Sequence, residues 1–152
     1  MGQLIRGAGA ALLLAALAMP LPALAVDTGG NDTTEAPAVP TLDEARADIK
    51  ANDWDGAIAK LKLIVAANPN SADAYNLLGY SFRNAGNTTR AGQAYDTALK
   101  LDPSHKGALE YQGVLFVKLG ETEKAKANLA KLKTLCGTDC EEYEDLAKAI
   151  GG

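Results

Sequence analysis

Residues 72–105 read ADAYNLLGYSFRNAGNTTRAGQAYDTALKLDPSH. The first half carries large apolar residues at the spacing of one helical face: Tyr75, Leu78 and Phe82. The second half carries a similar face of small and aromatic residues: Ala91, Ala94, Tyr95 and Ala98. Gly86-Asn87 separates the halves and Pro103 closes the second. The stretch therefore predicts two amphipathic helices, with Gly79 and Ala91 allowing their backbones to approach closely.

This hairpin resembles a tetratricopeptide repeat, a helix–turn–helix unit of about 34 residues. The family pattern is aromatic, Leu-Gly, aromatic, Gly, Ala, aromatic, Ala and Pro. Those places hold Tyr75, Leu78-Gly79, Phe82, Gly86, Ala91, Tyr95, Ala98 and Pro103. The resemblance implies an all-α fold in which repeats stack into a right-handed superhelix, an α-solenoid. It also implies a binding scaffold, but it does not name what is bound.

The same pattern recurs on both sides of this stretch. A first repeat spans about residues 38–71, with Trp54 just after the inter-helix turn and a capping box predicted at Thr41–Glu44. A third repeat spans about residues 106–139, with Gln112 in place of the Leu. Together with a final helix over residues 140–150, the repeats predict one domain at 41–150.

The final helix has one apolar and one acidic face. Its apolar residues are Tyr143, Leu146, Ala147 and Ile150. A helix of this kind covers the apolar side of the last repeat in a repeat array. We expect the acidic residues to form a solvated face, namely Glu141, Glu142, Glu144 and Asp145.

Two cysteines, Cys136 and Cys140, bracket the turn before this helix. A capping box predicted at Thr138–Glu141 would place Cys140 in the first helical turn. The favoured interpretation is a disulfide that ties the cap helix to the array and contributes about 2 kcal/mol. One alternative is a redox or metal-handling thiol pair, because a helix N-terminus lowers the pKa of a thiol. The other is a pair of free, inert thiols. The sole histidine, His105, is interpreted as a solvated turn residue, so no metal site and no cofactor are expected.

Residues 1–25 have the pattern of a secretory signal peptide, with Arg6, an apolar run and Ala23-Leu24-Ala25 before the expected cleavage point. The apolar run is about a dozen residues, too short to span a membrane. We expect a bacterial protein exported to the periplasm, with no membrane span after cleavage. Residues 26–40 are rich in Gly, Thr, Asp and Pro and predict a disordered linker.

Charge and motifs exclude two classes of function. Removing residues 1–25 takes away Arg6 and no acid, so the formal net charge changes from −4 to −5. Such a chain is not expected to bind nucleic acid, which requires a basic face. The sequence carries no nucleophile elbow, no phosphate-binding glycine loop and no HExxH. We therefore predict a protein that is not an enzyme.

The resemblance implies that the first helices of successive repeats line a concave groove. The candidate partner-binding residues are Arg46, Lys50, Asp73, Asn76, Tyr80, Arg83, Asn84, Glu110, Tyr111, Val114 and Lys118. Apolar anchors among them would bind an extended segment or a helix of another protein, and Arg83 and the asparagines would orient it. The partner is not identified, and self-association through the end helices is left open.

Some members of the family bind a C-terminal carboxylate with a clamp of basic residues and asparagines. The corresponding positions here are Leu42, Arg46, Leu77, Glu110 and Val114. Only Arg46 suits that role. The sequence therefore predicts that the clamp is absent.

Overall fold

The computed structural model describes residues 38–151, which form seven α-helices and no strand within that range. The helices are α1 (Leu42–Lys50), α2 (Trp54–Ala67), α3 (Ala72–Asn84), α4 (Thr88–Leu101), α5 (Lys106–Lys118), α6 (Thr122–Cys136) and α7 (Glu141–Gly151). The predicted all-α fold is confirmed. Each predicted repeat is a helical hairpin, and α7 follows as a single helix.

The predicted signal peptide (1–25) and most of the predicted linker (26–40) lie outside the described residues. Residues 38–40 are described and form no helix. Within 38–151, no helix has both the length and the apolar character needed to cross a membrane.

Polar side chains at the helix starts define where most helices begin. The predicted capping box of α1 is present, because Thr41 Oγ1 accepts from the Glu44 amide while the Glu44 carboxylate accepts from the Thr41 amide. Helices α2 to α5 each begin after a side chain that accepts from the amide three residues later: Asp53, Ser71, Asn87 and His105. These bonds satisfy amides that have no partner inside the helix.

The turn inside each hairpin contains one residue in the left-handed region. Gly86 has φ 83° and Gly120 has φ 76°, a conformation that glycine adopts without steric cost. In the first hairpin Asn52 takes this place with φ 59°, and asparagine is one of the few other residues that tolerate it. All three hairpins therefore turn through one residue in the left-handed region.

The seven helices form two layers. In the inner layer α1 contacts α3, α3 contacts α5, and α5 contacts α7. In the outer layer α2, α4 and α6 pack on the inner helices and make no contact with one another within the described range. Because the inner helices are closer together than the outer ones, the array curves and the inner layer lines its concave side.

Small residues let the two layers pack closely. The alanines Ala57, Ala74, Ala91, Ala108 and Ala125 are fully buried. At Gly79 an added Cβ would lie 2.6 Å from the Tyr95 ring, and at Gly113 it would lie 2.5 Å from Leu146 of α7. The predicted role of Gly79 in close helix approach agrees with this geometry.

The third repeat replaces an apolar contact with a buried amide network. Asn128 Nδ2 of α6 donates to Gln112 Oε1 at 3.0 Å and to the Leu109 carbonyl at 3.1 Å. Gln112 Nε2 donates to the Asp96 carboxylate of α4 at 2.7 Å. Gln112, which replaces the Leu of the family pattern, thus takes part in a polar network that joins three helices. The buried amides of Gln112 and Asn128 are hydrogen-bonded, which avoids the cost of burying unpaired polar groups.

The predicted capping box at Thr138–Glu141 is wrong. Helix α7 begins at Glu141, so Cys140 lies just before it. Thr138 Oγ1 donates to the neighbouring Asp139 carboxylate at 2.9 Å. The Cys140 carbonyl accepts from the amides of Tyr143 and Glu144.

Candidate functional site

The inner layer carries an aromatic–arginine cluster formed by Tyr80 and Arg83 of α3 and Tyr111 of α5. The ring centroids of Tyr80 and Tyr111 are 4.9 Å apart. The Arg83 guanidinium carbon lies 5.3 Å from the Tyr80 centroid and 5.7 Å from the Tyr111 centroid, within the range of cation–π attraction. All three side chains are partly exposed. The structure therefore brings three of the predicted binding residues together on the concave side.

Two aromatic residues of the outer layer support the aromatic–arginine cluster. Trp54, at the start of α2, lies edge-on to Tyr80 with centroids 6.1 Å apart. The fully buried Tyr95 of α4 lies 6.5 Å from Tyr111, and burial raises the pKa of its hydroxyl. Sequence reasoning placed Trp54 just after the inter-helix turn but missed its contact with the groove residue Tyr80. The signal in the sequence that could have indicated this contact was the bulky aromatic side chain at position 54.

Glu110 lies beside the cluster in an acidic environment. Burial raises the pKa of its carboxyl to about 7, and the nearby carboxylates of Asp145, Glu142 and Glu141 add to this rise. The Arg83 guanidinium acts in the opposite direction. Ionisation of this one carboxyl group close to pH 7 therefore changes the net charge at this end of the concave surface.

The acidic face of α7 was predicted to be solvated, and this is only partly correct. Glu141, Glu144 and Asp145 are exposed, but Glu142 is partly buried. Glu142 forms an ion pair with Lys106 at the start of α5, with a distance of 3.1 Å. The residues are far apart in the sequence, so only the packing of α7 on α5 reveals this contact.

Five of the other predicted binding residues are exposed: Arg46, Lys50, Asp73, Asn84 and Lys118. Arg46 forms an ion pair with Asp43 at 2.9 Å within α1. Asn84 Nδ2 donates to the Tyr80 carbonyl at 2.8 Å. The contact of these residues with a partner stays a prediction.

Two predicted binding residues lie inside the helix packing. Asn76 is only 7% exposed. Val114 packs against the buried leucines Leu109, Leu132 and Leu146, which lie between α5, α6 and α7. A partner can therefore reach little of Asn76 and only part of Val114.

His105 is not the solvated turn residue that was predicted. Its Nδ1 accepts from the Ala108 amide at 3.1 Å and so caps α5. Its Nε2 lies 2.9 Å from the Asp73 carboxylate, and because Nδ1 accepts, Nε2 carries the proton and donates to Asp73. Thus Asp73 joins α3 to the start of α5.

The two cysteines lie where α6 meets α7: Cys136 ends α6, and Cys140 directly precedes α7. The Sγ atoms of Cys136 and Cys140 are 2.10 Å apart, which is disulfide distance. A Glu142 carboxylate oxygen and the two Sγ atoms all lie within 4.8 Å of one another. As a bonded pair the cysteines connect the end of α6 to the residue that precedes α7.

The stacked helical hairpins with an aromatic–arginine cluster on the concave side define an α-solenoid of the type that presents an extended binding surface. A tetratricopeptide repeat family model matches residues 42–106 and 81–132. The chain belongs to the tetratricopeptide repeat family.

Solved structures share this fold at low sequence identity. The Arabidopsis OM64 TPR domain has a TM-score of 0.66 and 17% identity, covering 72% of this chain and 89% of that chain. The second TPR domain of human RPAP3, solved with the HSP70 peptide SGPTIEEVD, has a TM-score of 0.64 and 19% identity, covering 71% and 90%. MamA of Desulfovibrio magneticus RS-1 has a TM-score of 0.60 and 23% identity, covering 64% and 55%. No curated protein matches the chain.

Proposed function

We propose that the chain is a non-enzymatic scaffold or assembly factor of the bacterial cell envelope. Its concave surface binds an extended segment or a helix of a partner protein. The proposed export rests on the signal-peptide pattern of residues 1–25. The proposed binding role rests on the family and on the chemistry of the concave surface.

The observation that carries the proposal is the aromatic–arginine cluster. Aromatic residues and arginine dominate the energetically important positions of protein interfaces. Here Tyr80, Tyr111 and Arg83 are held against one another, and Tyr80 also contacts Trp54. Since their positions are already fixed, little side-chain entropy would be lost when a partner covers them.

The electrostatics favour a partner other than an acidic C-terminal tail. The second TPR domain of human RPAP3 was solved with SGPTIEEVD, an acidic HSP70 peptide. In this chain the predicted clamp positions include partly buried Val114 and the carboxyl of Glu110, next to the acids of α7. We propose that SGPTIEEVD does not bind at the concave surface, which makes it a negative control for that surface.

A thiol-based redox or metal-handling accessory is the second candidate. One observation favours it, namely the grouping of Glu142 with the two Sγ atoms of Cys136 and Cys140. Sulfurs joined to each other supply no thiolate, so a metal would require prior reduction. The scaffold function predicts that replacing both cysteines leaves partner capture intact, and the accessory function predicts that capture or activity is lost.

The full-length chain, immobilised and exposed to envelope and cytosolic extracts, tests the scaffold function. We expect an envelope protein to be retained by the wild type and lost with Tyr80→Ala/Arg83→Ala, because the variant removes the centre of the concave surface. Lys131→Ala/Lys133→Ala, which alters exposed residues of α6, is the matched control and should retain the protein. Circular dichroism checks that both variants are folded. Equal capture by all three baits would contradict the proposal.

A further inference from the structure

A second groove, the outer groove, lies along α3 and α4, on a different face of α3 from the aromatic–arginine cluster. Helices α2 and α4 both pack on α3. A cavity of about 240 Å³ opens between α3 and α4. Its floor is made by Tyr75, Leu78 and Phe82 of α3, and one wall by Arg90, Gln93, Ala94 and Thr97 of α4.

Two cations border the apolar floor of the outer groove. The Arg90 guanidinium carbon lies 5.7 Å from the Phe82 ring centroid, and Lys62 Nζ of α2 lies 5.9 Å from it. Neither cation forms an ion pair with a residue of the described chain. Arg90 also lies in the first turn of α4, where no acidic residue is present and the helix dipole adds positive potential. The groove therefore combines an apolar floor with uncompensated positive charge.

In the third repeat, a carboxylate neutralises the cation that corresponds to Arg90. There Lys124 lies over Phe116, 5.3 Å from the ring centroid. Lys124 is paired with Glu121 of the same hairpin at 2.9 Å. In the second repeat the position of Glu121 is taken by Asn87, which caps α4 with its side chain. The second repeat therefore keeps the stacked cation but lacks the internal carboxylate.

We propose that the outer groove binds an acidic segment of a partner protein that carries a large apolar side chain. The apolar side chain would lie on Phe82 and Leu78, and flanking carboxylates would pair with Arg90 and Lys62. A cavity of about 150 Å³ accommodates benzene, so a cavity of about 240 Å³ has room for an aromatic side chain. Charge complementarity selects an acidic occupant over a basic one.

This inference does not depend on the proposed function of the concave surface. The outer groove and the aromatic–arginine cluster use different residues of α3. One chain can therefore hold two partner segments at the same time. A failed capture experiment with Tyr80→Ala/Arg83→Ala would leave the outer groove untouched.

Three synthetic tripeptides with blocked ends test the proposal by NMR titration of the full-length chain. They carry the sequences Glu-Phe-Glu, Glu-Ala-Glu and Lys-Phe-Lys. We expect Glu-Phe-Glu to shift the amide resonances of Phe82, Arg90 and Thr97. The other two should bind more weakly, because one lacks the apolar side chain and the other has the wrong charge. Shifts around Tyr80 and Tyr111 instead, or equal binding of all three peptides, would overturn the proposal.

Charge reversal supplies the sharper test. In Lys62→Glu/Arg90→Glu the affinity for Glu-Phe-Glu should fall about fivefold or more, and Lys-Phe-Lys should become the better ligand. Both residues are exposed, so the variant should fold, and its circular dichroism spectrum checks this. Lys131→Glu/Lys133→Glu, which makes the same change of charge at exposed residues of α6, is the matched control and should leave the affinity for Glu-Phe-Glu unchanged. An unaltered preference after charge reversal would contradict the assignment.

Discussion

At the scale of single residues, the contact between Gly79 and Tyr95 sets how closely α3 and α4 approach. Tyr95 is fully buried, and its ring lies where a side chain on Gly79 would be. The ring cannot rotate away without displacing the core around it. This pair was predictable, since small and aromatic residues at these two positions are part of the repeated sequence pattern.

Gly79→Ala should lower the free energy of unfolding by about 1–3 kcal/mol, because the new Cβ overlaps a buried ring. Gly92→Ala is the matched control on α4. Its nearest neighbour, a Leu115 methyl carbon, would be 3.8 Å from the new Cβ. Since alanine is the better helix former, this change should raise stability by up to about 1 kcal/mol. Urea denaturation followed by circular dichroism measures both, and equal effects would refute the packing argument.

Some residue-scale contacts were beyond prediction. Arg90 and Lys62 come from different helices, and their common position over Phe82 depends on how α2 and α4 pack on α3. The absence of acids from the first turn of α4 was the one local signal in the sequence. His105 likewise looked like an ordinary turn residue, because its bond to Asp73 joins the starts of two helices.

At the scale of elements, α7 depends on few residues for its attachment. Leu146 is fully buried against the last repeat, Glu142 pairs with Lys106, and the cysteine pair connects α7 to α6. A cap helix was predicted because its apolar face repeats at helical spacing. Its exact start was not, because the Cys140 carbonyl accepts from the Tyr143 and Glu144 amides and so begins the helix after Cys140.

Replacing both cysteines, Cys136→Ser/Cys140→Ser, should lower the free energy of unfolding by about 2 kcal/mol, because a short covalent loop no longer restricts the unfolded chain. The loss should be greatest in α7. Hydrogen exchange of the α7 amides should therefore speed up more than that of α3. The variant is compared with the wild type under oxidising conditions. The reduced wild type serves as the control, because it lacks the disulfide but keeps both cysteine side chains. Unchanged exchange in α7 would show that packing alone holds the helix.

At the scale of the whole molecule, stability should depend on pH through Glu110. Its pKa is about 7 in the folded chain against 4.5 for the free side chain. The folded state therefore binds more protons than the unfolded state between these values. Stability falls as the pH rises from about 4.5 to about 7, and the penalty is complete above that range.

Glu110→Gln should remove this penalty, because glutamine does not ionise. The variant should match the wild type closely at pH 4.5 and exceed it by about 1–2 kcal/mol at pH 8, after allowance for solvent screening of a half-buried group. Urea midpoints at both pH values give the difference. Glu144→Gln, at an exposed position of α7, is the control. An equal gain for both variants would mean that overall charge, and not Glu110, sets the pH dependence.

The succession of repeats was the most predictable property of the whole chain. Aromatic residues, glycines and alanines recur at one spacing, and each hairpin buries its apolar face only by stacking on the next. The candidate site was predictable in part, since Tyr80, Arg83 and Tyr111 do lie together. The acidity around Glu110 was not, because it depends on the side of α5 on which α7 lies.

The amide network of Asn128, Gln112 and Asp96 also bears on how copies of the chain avoid misassembly. Arrays of similar hairpins are prone to exchange helices between molecules or to pair out of order. If α6 packed on α3, the Asn128 amide would meet Leu78 in place of Gln112 and lose one of its two buried acceptors, at a cost of about 1–3 kcal/mol. The network therefore makes the pairing of α6 with α5 more stable than the pairing of α6 with the equivalent helix of another repeat.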